Sequence, residues 1–425
     1  MTELLFTDLG LAEPVLRAVQ ARNHTTPTPI QAQAIPKLLK GCDMLGIAQT
    51  GTGKTAAFAL PILSRMAHNP PPKRGRRHIR TLILAPTREL AIQIGDEVEA
   101  YAKTQRLFQA VIFGGVSQKP QVAKLKRGVD FVIATPGRLL DLMNQRYLDF
   151  SHLDTVVLDE ADRMLDMGFV HDVRRIIKVL PERRQSLLFS ATMPDDIARL
   201  SKEFLTDPVR VQVTPPSTPV DRIAQTIHYV EKGAKQKLLV EILADSEFAK
   251  VLVFTRMKHR ANRVSEYLEK AGIRAAAIHG NKSQGARQRA LKAFKDGAIR
   301  VLVATDIAAR GIDIDGITHV INFELPNEPE SYVHRIGRTA RAGASGGAVA
   351  FCDASEGAYL RDIEKLTGVR LTVVEDGLVD MPVRDGETSG LPPKPGARGS
   401  QKKRRRRRGG QNSSRGEARA AAKAA

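Results

Sequence analysis

Two short segments carry residue types whose chemistry depends on their being brought together. Ala48-Gln49-Thr50-Gly51-Thr52-Gly53-Lys54-Thr55 lies between an apolar stretch at 44–47 and a helical pattern at 56–63. Glycines let the backbone curl so that its N–H groups face phosphates at a helix N-terminus. In such a loop Lys54 can neutralise β/γ oxygens and the Thr55 hydroxyl can ligate Mg²⁺. Ala48 stands where the general pattern has its first glycine. Asp159-Glu160-Ala161-Asp162 follows directly on an apolar run. Open α/β sheets bind ligands at the carboxyl ends of their strands. There one carboxylate can hold a metal ion while the next activates water for in-line attack on a γ-phosphate. Alone, an acidic cluster opening a helix is as readily a partner of the helix dipole. Beside a phosphate-binding loop the catalytic reading prevails.

A scaffold must hold these segments at one edge. The runs 81–84, 131–133, 155–158 and 186–189 are short and apolar, and so are 251–254, 274–278, 301–303, 319–321 and 348–351. Such runs predict strands buried on both faces, hence parallel sheets with helices on either side. The pattern occurs twice and predicts two doubly wound α/β domains. Val213-Thr214-Pro215-Pro216-Ser217-Thr218-Pro219 has three prolines in five residues and suits an extended linker. The expected boundaries are 1–34 for an adenine-reading region, 35–213 for the first domain, 214–222 for the linker and 223–372 for the second domain. A basic tail follows over 373–425 and lacks periodicity; from about residue 384 it reads as disordered. Residues 69–77 form a basic loop on the first domain.

The chain has 425 residues and a net charge of +20, which calls for a polyanionic partner. Residues 390–425 hold 12 Lys/Arg against Glu417 alone, a net +11, which leaves +9 for residues 1–389. No apolar run approaches the ~20 residues of a membrane helix, and the first ten residues do not read as a signal peptide. Two distant cysteines, Cys42 and Cys352, argue against disulfides or zinc, suit buried small apolar positions and fit a reducing cytoplasm.

The quoted motifs resemble those of the DEAD-box RNA helicases, and the resemblance covers about residues 5–370. It implies two tandem RecA-like domains, ATP and Mg²⁺ as cofactors, and RNA as partner. Pro27-Thr28-Pro29-Ile30-Gln31 resembles the adenine-reading Q motif, with Phe6 at the upstream aromatic position and Asn23-His24 replacing the usual Gly-aromatic pair. Ser190-Ala191-Thr192 resembles the motif coupling hydrolysis to strand separation, with Asp162 as its partner in that role; Ser190 or Thr192 would also suit a helix N-cap. In His334-Arg335-Ile336-Gly337-Arg338-Thr339-Ala340-Arg341 the resemblance makes Arg338 and Arg341 arginine fingers. Three apart, they would share a helix face, while His334 and Arg335 would bridge the domains. Asp313 is similar to a residue that contacts the ribose.

RNA contacts implied by the resemblance are Pro86, Thr87 and Arg88, Gly115, Thr135 and Arg138 in the first domain, and Arg256, Gln284, Arg287, Thr305 and Arg310 in the second. Trp is absent and aromatics make up 5%, so these motifs lack base-stacking rings; backbone readout with little sequence preference is expected. Lys402-Lys403-Arg404-Arg405-Arg406-Arg407-Arg408 reads as an electrostatic tether. Arg138-Leu139-Leu140-Asp141-Leu142 and Asp162-Arg163-Met164-Leu165-Asp166-Met167-Gly168-Phe169 look most like the bacterial RhlE-type branch. An ATP-gated RNA clamp and a DNA translocase are the competing readings. Glu160, Arg338 and Arg341 favour an enzyme over a clamp, and the family resemblance favours RNA over DNA. Ribosome assembly, RNA decay and cold adaptation all remain open as settings.

Overall fold

The computed structural model describes residues 4–49, 51–70, 77–213, 223–309, 314, 316–340 and 346–374, with the side chain of Ile307 set aside. Expectations for Thr50, Arg310, Asp313 and Arg341, for the linker 214–222 and for the tail beyond 374 fall outside these residues.

The strands in chain order are β1 Met44–Ile47, β2 Thr81–Leu84, β3 Gln109–Ile112, β4 Phe131–Ala134, β5 Thr155–Leu158, β6 Gln185–Ser190 and β7 Val209–Gln212, then β8 Ile223–Tyr229, β9 Val251–Phe254, β10 Ala275–Ile278, β11 Val301–Ala304, β12 His319–Asn322, β13 Gly346–Cys352 and β14 Thr372–Val373. They form two seven-stranded sheets, β3-β4-β2-β5-β6-β1-β7 and β10-β11-β9-β12-β13-β8-β14. Adding seven to each strand number of the first order gives the second, so the two halves share one topology. Every recorded strand pairing is parallel. All carboxyl ends of a sheet therefore lie along one edge.

The alternation of side chains across each strand fills two layers. In the first sheet Ile83, Phe131, Ile133, Val157, Leu187 and Phe189 enter one core, and Leu82, Leu84, Val132, Val156, Leu158 and Leu188 enter the other. In the second, Val251, Val253, Val301 and Val303 face one layer, and Leu252, Phe254, Leu302 and Ala304 the opposite one. Each such Val, Leu, Ile or Phe side chain, fully buried, contributes about 1.5–3 kcal/mol. Cys352 is buried as expected, and burial pushes its thiol up to about 12. Cys42 is only half-buried. Both sheets lie within one compact unit. No helix among the described residues is long and apolar enough to cross a membrane.

Candidate functional site

The phosphate-binding loop leaves β1 beside β6, where the Ala48 N–H donates to the Ser190 carbonyl at 3.0 Å. Gly51 and Gly53 hold φ of +82° and +88°, a region glycine enters without a Cβ penalty. A Cβ at Gly53 would also lie 2.3 Å from Gln31 Nε2. Gln31 is buried; its Nε2 donates to the Gly53 carbonyl at 3.1 Å and its Oε1 accepts the Thr28 N–H at 2.9 Å. The expected adenine reader thus also props the loop. Thr52 Oγ1 donates to the Gln49 carbonyl at 2.7 Å. Lys54 is buried at the start of helix Lys54–His68, and its Nζ donates to the Ala48 carbonyl at 2.9 Å. Thr55, half-buried, follows in the same first turn. Phe6 packs into the core with Leu9 and Ile30. His24 is exposed; partial burial and then Arg22 lower its pKa.

The acidic motif leaves β5 two strands away. The Asp159 N–H donates to the Leu84 carbonyl at 3.0 Å, and the Asp159 carboxylate is buried. Burial pushes that carboxyl up to about 6, opposed by Lys54 and reinforced by Glu160 and Asp162. Glu160 has φ +52° and ψ +52°, a left-handed conformation in a non-glycine residue. Such a residue costs about 1–3 kcal/mol and is held by its surroundings. Its carboxylate pairs with Arg163 Nη1 at 2.9 Å, both side chains being buried. Asp162 Oδ2 accepts from the Ala191 N–H (3.1 Å), the Thr192 N–H (2.9 Å) and Thr192 Oγ1 (3.0 Å). Ser190 Oγ donates to the Thr192 carbonyl at 2.7 Å. This corrects the capping expectation: Pro194 occupies the N-cap of helix Asp195–Phe204, and Ser190 and Thr192 are committed to the acidic motif and to each other.

Thr55 and Asp159 offer a hydroxyl and a carboxylate, the hard oxygen ligands Mg²⁺ takes, and the buried Asp159 carboxylate gains from a cation. Among the described residues no group of three or more His, Cys, Asp or Glu could hold a metal. Phosphate oxygens and water would complete such a site.

The second domain differs from expectation at two arginines. Arg335 does not bridge the domains. Its Nε and Nη2 form a fork on Asp306 at 2.6 and 2.8 Å, and its Nη1 reaches Asn322 Oδ1 (3.0 Å) and the Glu324 carbonyl (2.7 Å). With Phe254 against its guanidinium, every donor group is used within its own domain. Arg338 is not on a helix face, because helix Pro329–Ile336 stops first. Arg338 and Thr339 N–H groups then make i→i−3 turns, and Thr339 Oγ1 anchors to the Ile317 carbonyl at 2.6 Å. His334 and Arg338 line one small cleft with Asp306 and Ser331.

One contact between the halves runs through Glu89, which the motifs quoted above do not single out. Its Oε1 accepts from Gln284 Nε2 and its Oε2 pairs with Arg287 Nη2, both at 2.9 Å, and all three side chains are buried. Gln284 and Arg287, expected at RNA, here close the boundary. Glu89 has no local signal, standing 195 residues from Gln284. Arg163 had one, its i,i+3 spacing from Glu160.

Three turns of the first domain gather on the same edge. Pro86 is buried, and Thr87 accepts the Leu90 N–H at 3.2 Å as N-cap of helix Arg88–Tyr101. The Arg88 guanidinium has no hydrogen-bond or ion-pair partner among the described residues, and a Cβ at Gly115 would meet it at 2.2 Å. Partial burial, with Arg287 and Arg138 nearby, lowers the Arg88 pKa, so an anion there would be welcome. Arg138 donates to the Val116 carbonyl at 3.3 Å, and Thr135 opens its helix. In the second domain Arg256 pairs with the buried Glu356 at 3.1 Å; Thr305 is half-buried after β11.

Comparison with known proteins agrees with this geometry. Residues 28–200 match the DEAD/DEAH box helicase family and residues 234–343 the helicase conserved C-terminal domain. The chain is 44% identical over 362 residues to the DEAD-box ATP-dependent RNA helicase CshA of Bacillus cereus, spanning 85% of this chain and 68% of that relative. It is 42% identical over 377 residues to CshA of Bacillus subtilis, spanning 89% and 75%. S. cerevisiae Dbp5 bound to RNA and ADP BeF3 superposes with TM-score 0.75 at 30% identity, over 87% of this chain and 95% of that one. Mss116p bound to single-stranded RNA and AMP-PNP gives 0.78 at 28%, over 88% and 80%. With two RecA-like domains of one topology and these relatives, the chain belongs to the DEAD-box ATP-dependent RNA helicases.

Proposed function

We propose that RNA and ATP together draw the two halves into the arrangement closed by Glu89, and that hydrolysis proceeds there. The observation that carries this reading is the split of the chemistry. Lys54, Asp159 and Glu160 stand in the first domain, Arg338 stands in the second, and Glu89 binds Gln284 and Arg287 across the boundary. Lys54 and the loop residues Ala48–Thr55 hold the phosphates, Gln31 and His24 meet the adenine with Phe6 as backing, and Asp313 meets the ribose. Thr55 and Asp159 would hold Mg²⁺, which when bound neutralises phosphate charge. Glu160 takes the proton of the attacking water, with Arg163 fixing its carboxylate. Arg338 and Arg341 place positive charge at the γ-phosphate. Asp162 passes the state of the site to Ser190-Ala191-Thr192, and Arg335 acts through Asp306 and His334.

RNA lies along Pro86, Thr87, Arg88, Gly115, Thr135 and Arg138 and, in the second domain, along Arg256, Thr305 and Arg310, through its backbone and with little sequence preference. The domain boundaries 35–213 and 223–372 remain our division of the chain. The tail is a tether for RNA. We place the enzyme in the cytoplasm, working on ribosomal particles or in RNA decay, a setting in which the basic tail can meet RNA. Placement in the RhlE-type branch rests on the segments 138–142 and 162–169 alone, since the relatives above carry the name CshA. ATP turnover with and without single-stranded RNA tests the reading: RNA should raise the rate strongly, and equal rates would contradict it.

A further inference from the structure

The helix Lys119–Arg127 and the residues just before β2 take no part in the nucleotide cleft or in the turns described above, yet they are built with care. Asp130, buried before β4, accepts from Arg77 Nη1 at 2.6 Å and from the Phe108 N–H at 2.8 Å through one oxygen, and its own N–H returns to the Phe108 carbonyl at 2.8 Å. This clamp sets the Arg77 guanidinium 4.4 Å from the centre of the Phe108 ring, while Phe108 stays 55% exposed. Gly128, with φ +83°, lets Arg77 pass close by; a Cβ there would lie 3.1 Å from the Arg77 carbonyl. Gly128 is also the C-cap of helix Lys119–Arg127, which carries four Lys/Arg and no acid. Lys126 on that helix stands 5.7 Å from the ring centre of the exposed Tyr147.

Basic residues at a helix C-terminus are expected from the helix dipole, and that alone would explain the charge. It does not explain the rings. Among the described residues three aromatic side chains are exposed, Phe108, Tyr147 and Tyr267, and two of them flank this one helix. Each has a cation against it and an open edge or face. The other end of the helix begins four residues after Gly115. There Gln118 bonds to Gln145 at 2.9 Å, just beyond the helix that holds Arg138. The surface is thus continuous with the turns assigned to RNA.

We propose that this surface is an additional site for single-stranded RNA. It extends the bound strand from the Gly115 turn along helix Lys119–Arg127 to Phe108. Lys124, Lys126 and Arg127 meet phosphates, and a base stacks on the open face of Phe108, with Tyr147 available to a neighbouring base. Aromatic platforms beside a basic track are what strands bind without sequence choice. Nine residues of helix span about 13 Å, enough to follow a short stretch of strand. The proposal rests on the RNA-binding reading above.

The test is equilibrium binding of a length series of oligouridine RNAs to the full chain, beside Phe108→Ala and Lys126→Ser/Arg127→Ser. The shortest RNA that fully stimulates ATP turnover marks the filled cleft. On that RNA all three proteins should bind and turn over alike. On longer RNA, Phe108→Ala should bind about five- to a hundredfold more weakly than the parent. The double variant should lower the log–log salt slope by about 1.4. Equal binding by parent and variants at every length overturns the proposal and leaves this face to solvent or to an acidic protein. Losing binding already on the shortest RNA also overturns it, because the surface would then belong to the cleft. If the parent binds no RNA of any length, the RNA-binding reading falls, and this proposal with it.

Discussion

The two halves place a lysine at the same point of the same fold and use it for opposite ends. Lys54 opens the helix after β1; Lys235 opens the helix Lys235–Ile242 after β8, the matching strand of the second sheet. Both are buried. Among the described residues Lys54 hydrogen-bonds a carbonyl of its own loop and acts on the Asp159 carboxylate without a direct ion pair, so its charge can still be met by an incoming anion. Lys235 is met already, by Asp353 at 3.0 Å and by Glu356. Those carboxylates follow β13, whose counterpart β6 leads into Ala191 and Thr192. The pull of burial and the pull of Lys235 act oppositely on this pair: burial raises the Glu356 pKa, while hydrogen bonds and Lys235 hold that of Asp353 below its usual value. Glu356 also takes Arg256, so the ion cluster fixes a residue assigned to RNA. One half of the duplicated fold is therefore open to phosphate, and the other has filled the equivalent place with its own acids.

Four substitutions probe that division, in falling order of expected effect. Arg338→Ala should lower RNA-stimulated kcat by about 10³–10⁵-fold, the worth of an arginine finger in related phosphoryl transfer; a drop below tenfold in steady-state turnover would remove the second half from the chemistry. Lys235→Met should destabilise the chain by about 3–5 kcal/mol, because it leaves buried carboxylates uncompensated. Urea unfolding measures this, and nucleotide affinity of the folded protein should hold. Lys54→Met should do the reverse, abolishing ATP binding by fluorescence titration with an unchanged unfolding midpoint. If both lysines proved equally structural, the contrast would collapse. Glu89→Ala should weaken closure, raising the RNA concentration for half-maximal turnover by roughly ten- to a hundredfold, as expected when buried hydrogen bonds to a charged group worth about 1.5–3 kcal/mol are lost. An unchanged RNA dependence would make that contact incidental.

How legible this was from the sequence depended on distance along the chain. The phosphate loop and the acidic motif are contiguous, and β4, β9 and β11 are apolar at every position, so a local reading finds them. β3 and β7 escaped because edge strands keep polar residues on one side: Val209–Gln212 reads Val-Arg-Val-Gln. β8 escaped because Gln225, Thr226 and His228 interrupt its apolar positions. Apart from Arg163, three residues from Glu160, the partners that escape a local reading are long-range. Lys235 and Glu356 are 121 residues apart, Arg335 and Asp306 29. The helix face expected for Arg338 fails because the helix ends at Ile336, and the bridge expected of Arg335 fails because Asp306, Asn322 and the Glu324 carbonyl take its donors.

The central claim is that Glu160 drives hydrolysis in a closed form that ATP and RNA stabilise together. Glu160→Gln tests it most directly, since Lys54, Thr55 and Asp159 remain to bind nucleotide while the amide is a far poorer base. RNA dissociation by fluorescence anisotropy, with ATP and with ADP, is the measurement. Hydrolysis by this variant should nearly stop. Single-stranded RNA should leave more slowly with ATP than with ADP, as positive coupling between the two ligands requires. Normal hydrolysis by Glu160→Gln would contradict the assignment of the base, and ATP binding without slower RNA release would contradict nucleotide-driven closure.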